Sequence, residues 1–271
     1  WLGDMPGGRT IIHRCEAFMS ASSGTSRTPL DTASMSVPVW LGLVAFVFVC
    51  AWVVARALRA CRAAARADWG RSWLNTIDGL NRIFCRRFHR LRAAHLQLPK
   101  HGPALVVANH VSGLDPLLLI AASERPLRFI IAREQYERFG LHWLLRAVGC
   151  IPLDRAASPH RALAAARRAL QHGEVVALFP HGRIHLEKDE PVRLKPGILH
   201  LAKLSGAPVY PLRIDGVRGV GRTVSAVFLR SRARLTLFPH LYYVDSDPER
   251  LLDTIGQQIS HPAHDKKQDR M

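Results

Sequence analysis

The sequence predicts an α/β fold: a mixed, largely parallel sheet covered by helices, preceded by a membrane helix and an amphipathic helix. Three observations predict it. Short, almost wholly apolar runs such as Ala104–Ala108 and Val175–Phe179 alternate with helical patterns from residue 104 onward. Runs of that kind suit strands buried on both faces, with helices covering each side. Upstream, Val37 to Ala55 carries no charged residue, and Arg56, Arg59, Arg62 and Arg66 follow at once.

Residues 1–36 are rich in Gly, Ser, Thr and Pro and show no apolar period, so they read as a disordered or non-native extension. The composition change at Val37 makes Met35, or Met19, the expected initiator. As a helix, Val37 to Ala55 would be roughly 28 Å long, near the thickness of a bilayer's hydrocarbon. Trp40 and Trp52 lie near its ends, where interfacial aromatics belong. We read residues 37–58 as a membrane-anchoring helix; a buried core helix is the alternative. The arginines follow the apolar run rather than precede it, which argues against a signal peptide. By the positive-inside tendency they place the bulk of the chain in the cytoplasm, at the inner membrane.

Residues 68–98 read as a second, amphipathic basic helix. Leu74, Ile77, Leu80, Phe84, Phe88 and Leu91 form an apolar stripe, and Arg82, Arg86, Arg87, Arg90 and Arg92 occupy the remaining surface. Such a helix would lie on anionic lipid, or pack on its own domain with a solvated basic face. Pro99 and Gly102 end it.

Residues 99–245 form the α/β domain. Expected strands are Ala104–Ala108, Arg128–Ala132, Cys150–Leu153, Val175–Phe179, Val209–Ile214, Val224–Leu229 and Ala233–Phe238. Expected helices are Asp115–Ser123, Leu141–Val148, Pro159–His172 and Gly197–Leu204. The third has Ser158 as N-cap, Pro159 in its first turn and Gly173 as its stop. Residues 246–271 form a tail with one helical pattern, Pro248–Ile259, and a polar end.

Charge narrows the partners. The chain holds 38 Lys+Arg against 21 Asp+Glu, a net +17, which favours an anionic membrane surface, a phosphorylated substrate or nucleic acid. Aromatic residues make up 7%, and several of them sit in the apolar segment, so a stacking surface for nucleic acid is not expected. The five cysteines are scattered without a C-x-x-C pair, which fits neither a disulfide framework nor a zinc site; no metal is expected.

The densest chemistry lies at Asn109-His110-Val111-Ser112-Gly113-Leu114-Asp115-Pro116, between two apolar runs. Gly113 and Pro116 impose a turn. In an open α/β sheet, loops at strand ends carry the site. His110 and Asp115 there suit a base oriented by a carboxylate, or an ordinary loop in which Asp115 caps the next helix. Other cations also follow strands: Arg133 after the second, Arg155 after the third, and Arg183 and Lys195 after the fourth. Together they could clamp a phosphate.

These residues resemble the glycerolipid acyltransferase family, over about residues 74 to 239. Four ordered blocks carry the likeness: N-H-V-S-G-L-D at 109–115; R-F-I-I-A-R-E at 128–134 with P-L-D-R at 152–155; L-F-P-H-G-R at 178–183 with L-K-P-G at 194–197; and A-P-V-Y-P-L at 207–212. The resemblance implies transfer of an acyl chain from a thioester to the hydroxyl of a lysophospholipid such as 1-acylglycerol 3-phosphate. The donor would be acyl-CoA or acyl carrier protein, acting as co-substrate with no further cofactor, and the acceptor a membrane lipid. It implies His110 as general base, Asp115 as its partner, and Arg133, Arg155, His181, Gly182, Arg183 and Lys195 around the acceptor. The third block departs from the family's F-P-E-G-T-R: His181 stands where the glutamate would, and Arg183 comes one place early. That departure opens an alternative, an acyltransferase-like lipid-binding protein with an amino-lipid acceptor or no turnover.

Overall fold

The computed structural model describes residues 37–93, 96–155, 159–184 and 194–260. The predicted extension 1–36, the Ser158 cap and the polar end of the tail lie outside them. The chain divides into two units, Trp1–Val53 and Val54–Met271. What is described of the first is the N-terminal part of helix α1, Val37–Ala64, which runs on into the second. It continues past the expected end at residue 58, because residues 55–64 are Ala, Arg, Leu and Cys, with no Gly or Pro to stop a helix. The stretch Val39–Ala64 is long and apolar enough to cross a membrane, and its large apolar side chains are exposed.

The second unit is built on a seven-stranded sheet. Its strands are β1 (Arg92–Ala93), β2 (Ala104–Ala108), β3 (Leu127–Ala132), β4 (Ile151–Leu153), β5 (Val175–Leu178), β6 (Val209–Asp215) and β7 (Arg234–Leu237). They lie in the order β1-β7-β6-β2-β5-β3-β4. Five of them, from β6 to β4, run parallel; β7 pairs antiparallel with β6 and parallel with β1. The sheet is therefore mixed and largely parallel, as the apolar runs predict.

Alternation along β2 divides the interior. Ala104, Val106 and Ala108 join a core with Leu118, Leu119 and Ala122 of α3 (Asp115–Ala122). Leu105 and Val107 join a second core with residues of α6 (Pro159–Gln171), α7 (Gly197–Ser205) and α8 (Pro248–Ser260). The last of these is no loose tail: Leu251, Ile255 and Ile259 are buried, and Arg213 Nη1 donates to the Ile259 carbonyl at 3.1 Å. The short α4 (Arg133–Tyr136) and α5 (His142–Ala147) connect β3 to β4. From β2 the chain passes to α3 on one face, and from neighbouring β5 to α7 on the other. Diverging connections of that kind leave a crevice at the carboxyl ends of the strands.

Three expectations need correction. The helix expected over 68–98 is only α2, Ser72–Arg87. At its start Asp68 accepts from Gly70 N at 2.9 Å and from Asn75 Nδ2 at 3.1 Å, closing a local turn in place of a helical one. At its end Arg90 takes φ +48° and the chain extends into β1. The buried face of α2 follows the apolar stripe only in part: Leu74 is buried together with Asp78, Gly79, Arg82 and Cys85, and Phe84 packs against the core, while Leu80 is 56% exposed. A Cβ on Gly79 would lie 1.7 Å from the Cys61 carbonyl oxygen, so glycine permits α1 to approach there. Arg82, expected in solvent, is buried: it pairs with Asp78 at 2.7 Å and donates to the Ala121 and Ser123 carbonyls at the end of α3.

The third correction is the strand expected at Val224–Leu229, which is a 3₁₀ turn, Ser225–Phe228. The ladder beside β6 is occupied by β7, and the intervening chain curls through Gly216, Gly219 and Gly221, all at positive φ.

Candidate active site

The loop that carries His110 leaves β2 through Asn109, whose side chain prolongs the sheet. Its Oδ1 accepts from Ile214 N at 2.7 Å and its Nδ2 donates to Ile214 O at 3.0 Å. The amide thus ties the end of β2 to the end of β6. The loop then turns into α3, placing Asp115 in the first helical turn, where the helix dipole favours a negative charge.

Asp115 has no exposed surface, and four donors converge on it. Val111 N at 2.7 Å, Ser112 N at 2.8 Å and His110 Nδ1 at 2.8 Å meet Oδ2; Ser112 Oγ at 2.9 Å meets Oδ1. A carboxylate that only accepts satisfies all four. His110 then carries its proton on Nδ1, which leaves the Nε2 lone pair available as a base. The imidazole is 19% exposed and stacks on Phe179, ring centroids 4.1 Å apart and planes within 15°. Phe179 in turn lies 6.1 Å from Phe129 of β3.

The loop is held from outside by the glycine-rich segment 219–224. Gly113 N donates to Arg222 O at 3.0 Å and Gly221 N to Val111 O at 2.8 Å. A Cβ on Gly113 would stand 2.2 Å from the Thr223 carbonyl oxygen. Only a residue without a side chain fits beneath that strap.

The predicted acceptor residues gather after the neighbouring strands. His181 is buried two residues beyond Phe179. Gly182, at φ +69°, receives a hydrogen bond from the Arg155 guanidinium on its carbonyl, and a Cβ there would lie 3.0 Å from Lys195 Nζ. Arg133, at the start of α4, pairs with Glu137 at 2.7 Å and with Asp154 at 3.2 Å, the residue before Arg155. Arg133, Asp154, Arg155, Gly182 and Lys195 therefore form a linked series, joined to His110 through Phe179 and His181. Arg183 is exposed one residue further on.

Two of the buried cysteines, Cys85 and Cys150, do not offer a thiolate. Burial pushes the Cys85 thiol up to about 12 and the Cys150 thiol up to about 11, so both stay protonated near neutrality.

Some of this geometry is not visible in the sequence. Asn109 and Ser112 stood inside the first block, and Phe179 inside the third, but nothing in their spacing assigned them the sheet-end clamp, the carboxylate contact or the ring stack. The strap at 219–224 carried no signal beyond its glycines.

The carboxyl ends of the parallel strands thus carry a His–Asp pair, with Asp115 buried and His110 partly exposed, and the loops after the neighbouring strands carry a series of cations. The family comparison is specific. Residues 89–215 match the family model described as Acyltransferase. Two curated relatives are each named probable 1-acyl-sn-glycerol-3-phosphate acyltransferase. The one from Mycoplasma genitalium is 35% identical over 129 residues, 45% of this chain and 47% of that protein. The one from Mycoplasma pneumoniae is 33% identical over 122 residues, 42% of this chain and 45% of that protein. The match thus spans about half the length of the curated relatives. The crystal structure of the 1-acyl-sn-glycerophosphate (LPA) acyltransferase PlsC from Thermotoga maritima shares the fold. It gives a TM-score of 0.53 at 20% identity, over 82% of this chain and 91% of that one.

Proposed function

We propose that the protein is a membrane-bound acyltransferase that moves a fatty acyl chain from acyl-CoA or acyl carrier protein to the hydroxyl of a lysophospholipid such as 1-acylglycerol 3-phosphate. The observation that carries this reading is the His110 Nδ1–Asp115 Oδ2 hydrogen bond of 2.8 Å, which leaves Nε2 as a base at the crevice. The names of the relatives support the choice of acceptor and reaction.

His110 Nε2 removes the acceptor's hydroxyl proton as its oxygen attacks the thioester carbonyl. Asp115 holds the imidazole and stabilises the imidazolium that forms. When the tetrahedral intermediate collapses, the carbon–sulfur bond breaks and the leaving thiolate takes the proton from Nε2. The new ester and a free thiol result, and His110 is restored. General-base help of this kind contributes on the order of 10²–10⁴ in rate. The acceptor's phosphate is drawn to Arg133, Arg155, Arg183 and Lys195, with Gly182 letting the backbone approach closely. In this reading the apolar α1 anchors the enzyme, and the positive-inside tendency of the arginines after it supports a cytoplasmic acyltransferase domain at the inner membrane.

His181 is the one residue that favours a second acceptor. A buried imidazole contacts a polar head group differently from the carboxylate of the family pattern. Purified protein incubated with acyl-CoA and a panel of lysolipids, with products read by mass spectrometry, tests both. Acylation of lysophosphatidic acid is expected, and no acyl product from any acceptor would remove the enzymatic reading. A change of preferred acceptor in His181→Glu would make this residue the specificity determinant.

A further inference from the structure

The α4–α5 turn and the outer edge of α2 expose apolar side chains that the site does not use. Phe139 is 103% exposed at the tip of the turn, followed by Leu141 at 41% and Trp143 at 57%. The turn is closed by Leu141 N donating to Arg138 O at 3.1 Å, with Gly140 at φ +80° and open space around it. Trp143 reaches α2: its ring lies 5.6 Å from that of Trp73, which is itself exposed. Leu80, seven residues further along α2, repeats on the same face two turns away. Two tryptophans, a phenylalanine and two leucines therefore stand in water on adjoining elements.

We infer that this patch is a second membrane-contact surface, distinct from α1, that seats in the interfacial layer of an anionic bilayer. The residues bordering it choose the occupant. Arg71 precedes Trp73 by two positions, Arg138 adjoins Phe139, and Arg146 follows Trp143 by three; all three are exposed. Glu137, the nearest acid on the turn, is held by Arg133. Tryptophans carry an apolar body and a polar edge suited to the head-group boundary, and arginines beside them pair with lipid phosphates. The patch is a protruding tip, not a groove for a helix, and the same chain carries a helix able to span a bilayer. The inference extends the lipid reading proposed above and rests on it only for lipid as the occupant. It adds a route: α4 opens with Arg133, six residues before the Phe139 tip, so a head group at the turn stands close in sequence to the proposed phosphate cluster.

The full chain reconstituted in vesicles tests this, because α1 keeps every variant in the membrane and the readout is depth, not recruitment. Phe139→Cys, in a Cys15→Ser, Cys50→Ser background, is labelled with an environment-sensitive fluorophore; Gln171→Cys, at the exposed last position of α6, is the control. In phosphatidylglycerol-containing vesicles the label at 139 should shift to shorter wavelength, be quenched by lipid-borne quenchers and gain severalfold protection from aqueous iodide. The label at 171 should not. Arg138→Glu with Arg146→Glu should abolish the dependence on anionic lipid. Iodide quenching at 139 equal to that at 171 would overturn the inference. So would protection seen only when an acyl carrier protein is added, or only at high protein-to-lipid ratio, which would assign the patch to a carrier protein or a second copy. Failure of acyl transfer in the same preparation would remove the enzymatic reading and leave the fluorescence result standing.

Discussion

The ring of Phe179 lies flat on the imidazole of His110, centroids 4.1 Å apart. The two residues come from loops after neighbouring strands, β2 and β5, whose register brings Val107 opposite Leu178. Asp115 fixes one edge of the imidazole and Phe179 one face, so the ring has two independent constraints on its orientation. Removing the stack while leaving Asp115 in place should loosen the ring without removing the base. Phe179→Ala is expected to lower kcat about tenfold or more, on the reasoning that small misplacements of a catalytic group are costly, with Phe179→Tyr close to wild type. Steady-state kinetics on both variants checks this.

Gly113 lies under the strap at 219–224. A methyl group there would stand 2.2 Å from a backbone oxygen, which cannot swing aside as a side-chain tip would. Gly113→Ala should destabilise the protein by about 1–3 kcal/mol, the usual cost of overpacking, and depress activity further than stability alone explains. Shifting the strap also moves Val111 and Ser112, whose amides hold Asp115. Thermal unfolding and kcat measured on one preparation separate the two effects.

Arg82 and Asp78 are each 1% exposed and pair at 2.7 Å. Truncating one partner strands the other's charge in the interior. Arg82→Met is therefore expected to cost about 3–5 kcal/mol, and the double variant Asp78→Leu, Arg82→Met to recover part of that loss. Recovery is only partial, because the Ala121 and Ser123 carbonyls also lose their donor. Denaturant unfolding of the single and double variants gives the comparison.

His89 supplies a pH dependence. It is fully buried, perpendicular to the stacked rings of Phe84 and Phe88, and burial lowers its pKa from the ordinary histidine value despite the opposing contact with the Val227 carbonyl. The unfolded chain thus takes up this proton before the folded one. Stability is complete above the ordinary value of about 6.5 and declines as pH falls below it, toward the folded pKa. A His89→Gln variant should lose less Tm than wild type between neutrality and mild acid. Parallel melts across that range measure the difference in slope.

How much of this was legible depends on what each residue type announces. The buried strands β2, β3, β5 and β6 were visible because parallel strands covered on both faces must be apolar along their whole length. The limits of α2 were hidden, since Asp68 reads equally well as a helical residue or as the acceptor that closes a turn. Arg82 looks like Arg86 and Arg87 in sequence; only the carbonyls at the end of α3 make its burial tolerable. The apolar stretch at 224–229 reads as a strand until β7 is seen to hold the ladder position. At the site, His110 and Asp115 were legible because five residues across a tight turn suffice to bring them together. The Phe179 stack and the Asn109–Ile214 clamp depend on strand order, which no local pattern encodes.

His110, oriented by Asp115, is the base proposed for acyl transfer to a lysophospholipid. The rate of phosphatidic acid formation from lysophosphatidic acid and acyl-CoA in wild type, His110→Ala and Asp115→Asn, with folding checked by melting, tests that role. Turnover is expected in wild type, with a fall on the order of 10²–10⁴ in kcat for His110→Ala at unchanged fold and a comparable loss for Asp115→Asn. Turnover in His110→Ala equal to that of wild type would contradict it.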